Sequence, residues 1–463
     1  MIDVAVIGGG ISGLTAAYEL RCQGYEVVVL ERQVRSGGNA ISENIGGFLM
    51  EHGPSTINAA VPEVHDLSES LGLNASAVDL GDEVRHRYLV KDGKLNGISV
   101  HPLGFLLSSY LSPKGRLRLM TEALIPKRNK STDETVEHYF TRRFGPEFAT
   151  RIMDPLVGGL YAGRSDELSV NSVFPKLVTM ENRHGSISKA VLHSRMNGRK
   201  MPSKRLYSWS NGIGSLPAAL SRALSDRIRT GITVRNVRAC GPGFEVDTLK
   251  DGKIMARAVL LATQSHVAAT LLENASPTGA EAIGEIAAPP LAVVFMGYKR
   301  HAVDHPLDGL GYLSPRSENR VLTGVQFPSS MFPGRAPKGH VALAGYLGGA
   351  RYPKIAGLNE KDLIALAEEE FRDLLGVRGC PEISRVRYWP RGIPQYHMGH
   401  RGRVQKIQGI ANQTPGLYVT GNYLSGPSVG ACVNNAQEIA QNISAYLTRG
   451  LKNSHVHGVQ AAI

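Results

Sequence analysis

One short stretch constrains the fold more than any other. Ile2-Asp3-Val4-Ala5-Val6-Ile7 reads as a buried strand that runs straight into Gly8-Gly9-Gly10-Ile11-Ser12-Gly13. Leu14 to Gln23 then carry apolar residues at helical spacing, Gly24 breaks the helix, and Tyr25 to Leu30 form a second strand ending at Glu31. Strand, glycine turn, helix, strand and terminal acid together make a βαβ dinucleotide-binding unit, and each residue type has a task. Gly8 permits the tight turn, Gly10 lets backbone approach a pyrophosphate, and Gly13 lets helix and strand pack closely. The helix start offers free N–H groups and a positive dipole end to phosphate, and Glu31 accepts hydrogen bonds from ribose hydroxyls.

The continuation selects the dinucleotide. After Glu31 come Arg32-Gln33-Val34-Arg35-Ser36-Gly37-Gly38-Asn39, then Gly47 to Glu51 and His52-Gly53-Pro54. A second glycine pair so soon after the acid resembles the FAD signature of amine-oxidase-like flavoproteins. Gly37 and Gly38 free backbone amides for the second phosphate and ribitol, and His52-Gly53-Pro54 turns the chain beneath the isoalloxazine. NAD dehydrogenases have no need of this segment.

The rest of the chain predicts a discontinuous architecture. Thr233–Val237, Phe244–Thr248 and Ile254–Ala262 read as strands returning to the first sheet. Gly416 to Asn422 add another strand and turn, followed by a helix from about Val429 to Leu447. In the superfamily such a helix points its positive end at the pyrimidine edge of the flavin. Residues 101–210 read as helical, with turn signals at Pro113, Pro126, Pro146 and Pro155. Residues 286–390 alternate strand-like runs, Leu291–Tyr298 and Val341–Leu347, before a helical run over Glu360–Leu375. The expected class is α/β: a discontinuous Rossmann-like FAD-binding domain (1–84, 211–285, 391–450), a mixed-sheet substrate domain (85–100, 286–390), a helical insert (101–210) and a frayed tail (451–463).

Longer motifs narrow the family. Phe144-Gly145-Pro146, the Pro155–Ser169 segment with Gly159 to Gly163, Arg183 to Ile187, Asn211 to Pro217, Gly309 to Leu313, Trp389 to Tyr396 and Gly421 to Leu424 resemble the protoporphyrinogen oxidases over essentially the whole chain. The resemblance implies six-electron oxidation of a porphyrinogen, protoporphyrinogen IX or coproporphyrinogen III, with FAD reoxidised by dioxygen. Flavin chemistry of this kind asks for no catalytic side chain, only for a held macrocycle and fixed propionates. The same resemblance assigns cofactor contacts to Gly8, Gly10, Ser12, Gly13, Glu31, Arg32, Gly37, Gly38, Asn39, His52, Gly53, Pro54, Val237, Trp389, Gly421, Asn422 and Val429. It assigns substrate contacts to Arg87, as a propionate anchor, to Gly159, through its backbone, and to Met296 and Tyr346 as pocket walls.

One departure stands out. Where the family runs Gly-Val-Ser-Val-Pro-Asp-Cys, this chain has Gly426-Pro427-Ser428-Val429-Gly430-Ala431-Cys432. A specialised flavin oxidase acting on an amine, amide or pyrrolic metabolite therefore stays open, as does a non-catalytic flavin-binding protein.

Composition settles the remaining classes. With 42% hydrophobic and 20% charged residues, 52 Gly and 25 Pro, the chain is an ordinary globular sequence of 463 residues. Four scattered cysteines suggest neither a zinc ribbon nor a redox pair, no metal cluster is expected, and a cytoplasmic setting follows. Of the net charge of +12, the 101–210 insert supplies 9, from 18 Lys and Arg against 9 Asp and Glu. No nucleic-acid motif accompanies that charge. Pro102 to Leu111, beside Lys114, Arg116 and Arg118, suits peripheral membrane contact at most. Oligomeric state is not encoded in any of these features.

Overall fold

The computed structural model describes residues 1–98, 108–128, 132–196 and 206–460. The expected βαβ unit forms as strand Ile2–Ile7, helix Ile11–Cys22 and strand Val27–Glu31. Those strands lie at the centre of a seven-stranded sheet ordered Ile228–Thr230, Val27–Glu31, Ile2–Ile7, Lys253–Leu261, Gly243–Thr248 and Val234–Cys240. Leu417–Val419 also pairs in parallel with Lys253–Leu261, with Val259 opposite Leu417. The first strand is buried on both faces, Val4 and Val6 toward one apolar cluster and Ala5 and Ile7 toward another. That explains its unbroken hydrophobic run.

The second large sheet runs Ile383–Trp389, Leu291–Lys299, His340–Gly348, Leu322–Gln326, Gly309–Leu313, His86–Lys91 and Lys94–Ile98. Its two faces are covered differently. Helix Glu360–Leu375, opened by an Asn359–Asp362 capping box, buries Leu363, Ala367 and Phe371 against Val294, Met296 and Leu343. The opposite face, with Val293, Phe295, Ala344 and Tyr346, packs on Phe48 and Met50 of the Ser42–Glu51 hairpin.

The insert is helical where described. Pro113, Pro146 and Pro155 sit in the first turns of helices, where their missing N–H costs nothing. The apolar segment expected at the membrane falls at 102–107 outside the described residues, while Tyr110 and Leu111 are buried. Within the insert, Arg143 and Glu122 are both fully buried and paired. The insert is fastened to the second sheet through Asp154. Arg316 Nε donates to Asp154 Oδ1 at 2.8 Å, and Arg351 Nη2 lies 3.0 Å from Asp154 Oδ2. The terminal helix, expected to stop near Leu447, continues to Gln460, since no proline interrupts it.

Candidate active site

The glycine turn is set by backbone crowding. Gly8 has φ +110°, and a Cβ there would meet Ala262 O at 2.6 Å; a Cβ on Gly13 would lie 2.0 Å from Gly8 O. Gly10 differs, because its only protein neighbour would be Gly38 Cα at 3.9 Å. Space is left at Gly10 for something other than protein. The second glycine pair closes over the first, with Gly37 N donating to Gly9 O at 2.7 Å. Glu31 Oε2 accepts from Gly9 N at 2.7 Å and Oε1 from Gln33 N at 2.8 Å, which leaves carboxylate lone pairs for a ribose.

Beside this turn a cleft is lined by Asn39, Gln264, His266, Arg391, Pro394 and Asn422. Cations gather around it. Burial lowers the His266 pKa, and Arg391 and Arg32 lower it further. Burial likewise lowers His52, with Arg387 and Arg35 adding to the effect against the opposing bond from His52 Nε2 to Glu43 at 2.8 Å. Mutually repelling positive groups around a glycine turn fit a bound pyrophosphate, so the residues present suit a dinucleotide. Trp389 Nε1 donates to His52 O at 2.9 Å, Arg387 stacks 4.0 Å over the Trp389 ring, and Tyr396 hydroxyl donates to Asn422 O at 2.6 Å. The first two tie Trp389 and Arg387 to His52, and the last holds Asn422, which lines the cleft. Val237 lies on the sheet's edge strand with its side chain fully buried, so only its backbone is offered. Ser12 is in the first turn of the first helix.

The start of the terminal helix reflects the sequence departure. Ser428 Oγ accepts from Ala431 N at 3.1 Å, capping the helix without the acid, and a Cβ on Gly430 would lie 3.0 Å from Val61. Gly421 and Val429 flank this turn.

The expected substrate contacts divide by sheet face. Cross-strand partners run Leu89, Leu313, Gly324, Tyr346, Val293, Arg387, all on the side facing the hairpin. Arg87 shares the Leu89 face and is exposed, opposite the Leu310–Gly311 irregularity. Gly159 lies against the same row, because a Cβ there would meet Leu313 at 2.6 Å. Met296 does not join them. It is 0% exposed on the helix-covered face, its sulfur accepting from Tyr298 hydroxyl at 3.0 Å, and it is removed from the pocket wall. The reason is parity: Met296 pairs with Leu343 and Tyr346 with Val293, three residues away and on the opposite side of the pleat.

Several residues escaped the sequence reading. A second, small cavity includes Glu51, Ser55, Gln326 and Arg335 alongside Tyr346. Tyr346 hydroxyl donates to Gln326 Oε1 at 2.9 Å. Arg387 was detectable, since it stands two residues before Trp389 on the same strand. Arg335 and Gln326 lie in no motif that points to them.

Comparison with known proteins identifies the family and the fold. A model of flavin-containing amine oxidoreductases matches residues 11–444. The chain is 30% identical to the chloroplastic protoporphyrinogen oxidase of Oryza sativa subsp. japonica, covering 96% of this chain and 89% of that one. It is 25% identical to the coproporphyrinogen III oxidase of Bacillus subtilis (strain 168), covering 96% and 98%. A crystal structure from Exiguobacterium sp. 255-15 superposes with a TM-score of 0.82 at 23% identity, covering 96% and 98%, and a reduced UDP-galactopyranose mutase with 0.74 at 16%, covering 96% of each chain. Those two likenesses concern the fold. The family model spans nearly the whole chain, and the protein belongs to the flavin-containing amine oxidoreductase family, as an FAD-dependent oxidoreductase.

Proposed function

We propose that this chain oxidises a porphyrinogen to its porphyrin in haem synthesis, with dioxygen as the final acceptor. The observation that supports it best is the shared face. Arg87 at one edge, Gly159 over Leu313, and Tyr346 with the second cavity lie along one mainly apolar face of the sheet, between the insert that covers one end and the hairpin that covers the other. Relatives bearing both porphyrinogen oxidase names align along almost their full length.

Bound FAD supplies a two-electron acceptor for hydrogen leaving substrate carbon. Gly8, Gly10, Gly37 and Gly38 would cradle its phosphates, Glu31 its ribose, and the His52–Trp389 contact its ring. The chain's own part is positional. Arg87 holds a carboxylate with paired N–H donors, and the Asp154 ion pairs keep Gly159 seated on the sheet so that the macrocycle meets a fixed wall. The insert's surface suits peripheral contact with an anionic bilayer. Leu117, Met120 and Leu124 are 64%, 68% and 80% exposed near Lys114. Among the described residues no helix is long and apolar enough to cross a membrane.

The decisive experiment mixes FAD-loaded protein anaerobically with a porphyrinogen and follows flavin bleaching, then admits air and follows porphyrin fluorescence. Bleaching and fluorescence are both expected. Flavin that stays oxidised with either porphyrinogen, yet bleaches with an amine, would transfer the chain to the specialised-oxidase class. In Arg87→Ala, a raised KM with unchanged flavin content is expected.

A further inference from the structure

Two motifs of the sequence, the Pro155–Ser169 segment and the run ending Pro394-Gln395-Tyr396, meet at one buried point. Helix Asp154–Tyr161 ends there, followed by Ala162 at φ +47°. An alanine holds that left-handed conformation only where its surroundings impose it. Two clamps do so. From the substrate sheet, Ala350 N donates to Ala162 O at 2.8 Å and Arg351 Nε to Gly163 O at 3.3 Å. The second clamp is Gln395, 2% exposed, whose Nε2 donates to Tyr161 O at 2.8 Å and to Ile393 O at 2.9 Å. Two facing carbonyls can only accept, so the amide has one orientation. A helix leaves its last carbonyls without partners of its own, and Gln395 supplies one from a distant segment.

The glycines of the segment make room for these clamps. A Cβ on Gly158 would strike the Arg351 guanidinium, and one on Gly163 would meet Gln395 Oε1 at 2.6 Å. The helix end is therefore two-sided. Val157, Gly158 and Tyr161 are buried, while Gly159 and Leu160 are exposed.

Gln395 is also fixed to the cofactor cleft. Its neighbour Pro394 lines that cleft, and its neighbour Tyr396, fully buried, holds Asn422 on the same wall. The Tyr396 ring meets the Tyr161 ring edge-on at 5.5 Å. The backbone of the run is held as well, with Gln395 N donating to Ala287 O and Ser169 N to Tyr396 O, each at 2.8 Å. Three consecutive residues thus reach the cleft wall, the helix end and the cleft wall again.

We infer that Gln395 is a positioning residue. Its amide sets the distance between the open side of the helix end, at Gly159 and Leu160, and the cofactor cleft. A macrocycle seated on that side then presents its carbons at one fixed reach from the flavin. The inference rests on the porphyrinogen reading and adds to it the group that sets this reach. Arg351 and Asp154 seat the helix on the sheet, and Gln395 ties its end to the cleft. Reaction depends steeply on approach, and a displacement of about 1 Å costs on the order of a hundredfold in rate.

The test compares FAD-loaded Gln395→Met, which keeps the side chain's length and removes both donated bonds, with the unaltered protein. Flavin reduction by protoporphyrinogen IX and by coproporphyrinogen III is followed anaerobically, and air reoxidation of dithionite-reduced flavin is followed separately. The limiting rate of reduction is expected to fall roughly tenfold or more, while FAD content and reoxidation rate stay at the unaltered values. Parent-like reduction overturns the inference and leaves porphyrinogen oxidation standing. Reduction and reoxidation falling together also overturn it, because a general loosening of the fold produces that result. Gln395→Glu gives a second reading should Gln395→Met shed its flavin. Its carboxyl can donate to one of the two carbonyls only as the neutral acid, so its reduction rate is expected to fall, relative to the unaltered protein, as pH rises. A flat ratio across pH, or loss of FAD from both variants, overturns the inference. If the unaltered protein's flavin is reduced by neither porphyrinogen, the functional reading fails and the inference with it.

Discussion

The glycine turn, proposed to hold phosphate, and the second cavity, proposed to border the substrate, are built by different means. At the first, backbone meets backbone: Gly8 against Ala262, Gly13 against Gly8, Gly38 against Gly10. At the second, side chains from opposite halves of the chain meet, with Glu51 from the hairpin facing Phe295, Arg335 and Tyr346. A site made of crowded backbone tolerates almost no substitution and accepts one shape of ligand. A site made of side chains tolerates exchange, and its chemistry is retuned one residue at a time.

The largest expected effect lies at the glycine turn. Gly13→Val drives a side chain into Gly8 O, and the protein is expected to lose both bound FAD and its cooperative melting transition. Gly10→Val should separate the two, because no protein atom obstructs it: Tm stays near the parent while FAD affinity falls about 100-fold, ~2.7 kcal/mol, by flavin titration. If Gly10→Val melts like Gly13→Val, the space at Gly10 is structural and the contrast fails.

Next come the two faces of the substrate sheet. Met296→Ala is expected to cost about 2–5 kcal/mol of stability in denaturant titration, with KM unchanged in molecules still folded. Tyr346→Phe gives up only the bond to Gln326, about 1 kcal/mol, so Tm should fall far less than in Met296→Ala while the freed Gln326 amide at the cavity wall is expected to shift KM. A KM effect from Met296→Ala would reinstate it in the pocket.

The smallest effect is a pH slope. Glu51 and Glu370 both have carboxyls raised by burial to about 7, so between their unfolded values near 4.5 and that figure the folded state holds protons that the unfolded state has released. Stability from this source is complete at low pH and declines as pH rises through about 7. Melting temperatures from pH 5 to 8 should therefore fall, and Glu51→Gln should flatten part of the slope, with Glu370 keeping the rest.

What the sequence revealed follows the same division. The Ile2–Glu31 unit is contiguous, and its glycines act through geometry that any reader of the motif can infer. The Glu360–Leu375 helix was equally legible from its spacing. Met296 was misplaced because its strand, Leu291–Lys299, is buried on both faces from Leu291 to Tyr298, so no polar residue marks which side looks at the cofactor. Only pairing with Leu343 decides it. The second cavity needs the hairpin, the sheet and the Pro328–Met331 turn to converge, and no local spacing records such convergence.

The bare helix start at Val429 has an electrochemical consequence. The pattern this chain resembles carries an aspartate where Ala431 stands, and a fixed anion there would oppose negative charge developing beyond the helix start. Here the cap is a neutral serine hydroxyl, so the field of the amide ends is left unopposed. With the flavin proposed to lie at this helix start, Ala431→Asp should lower the midpoint potential of the bound cofactor, read by spectroelectrochemical titration.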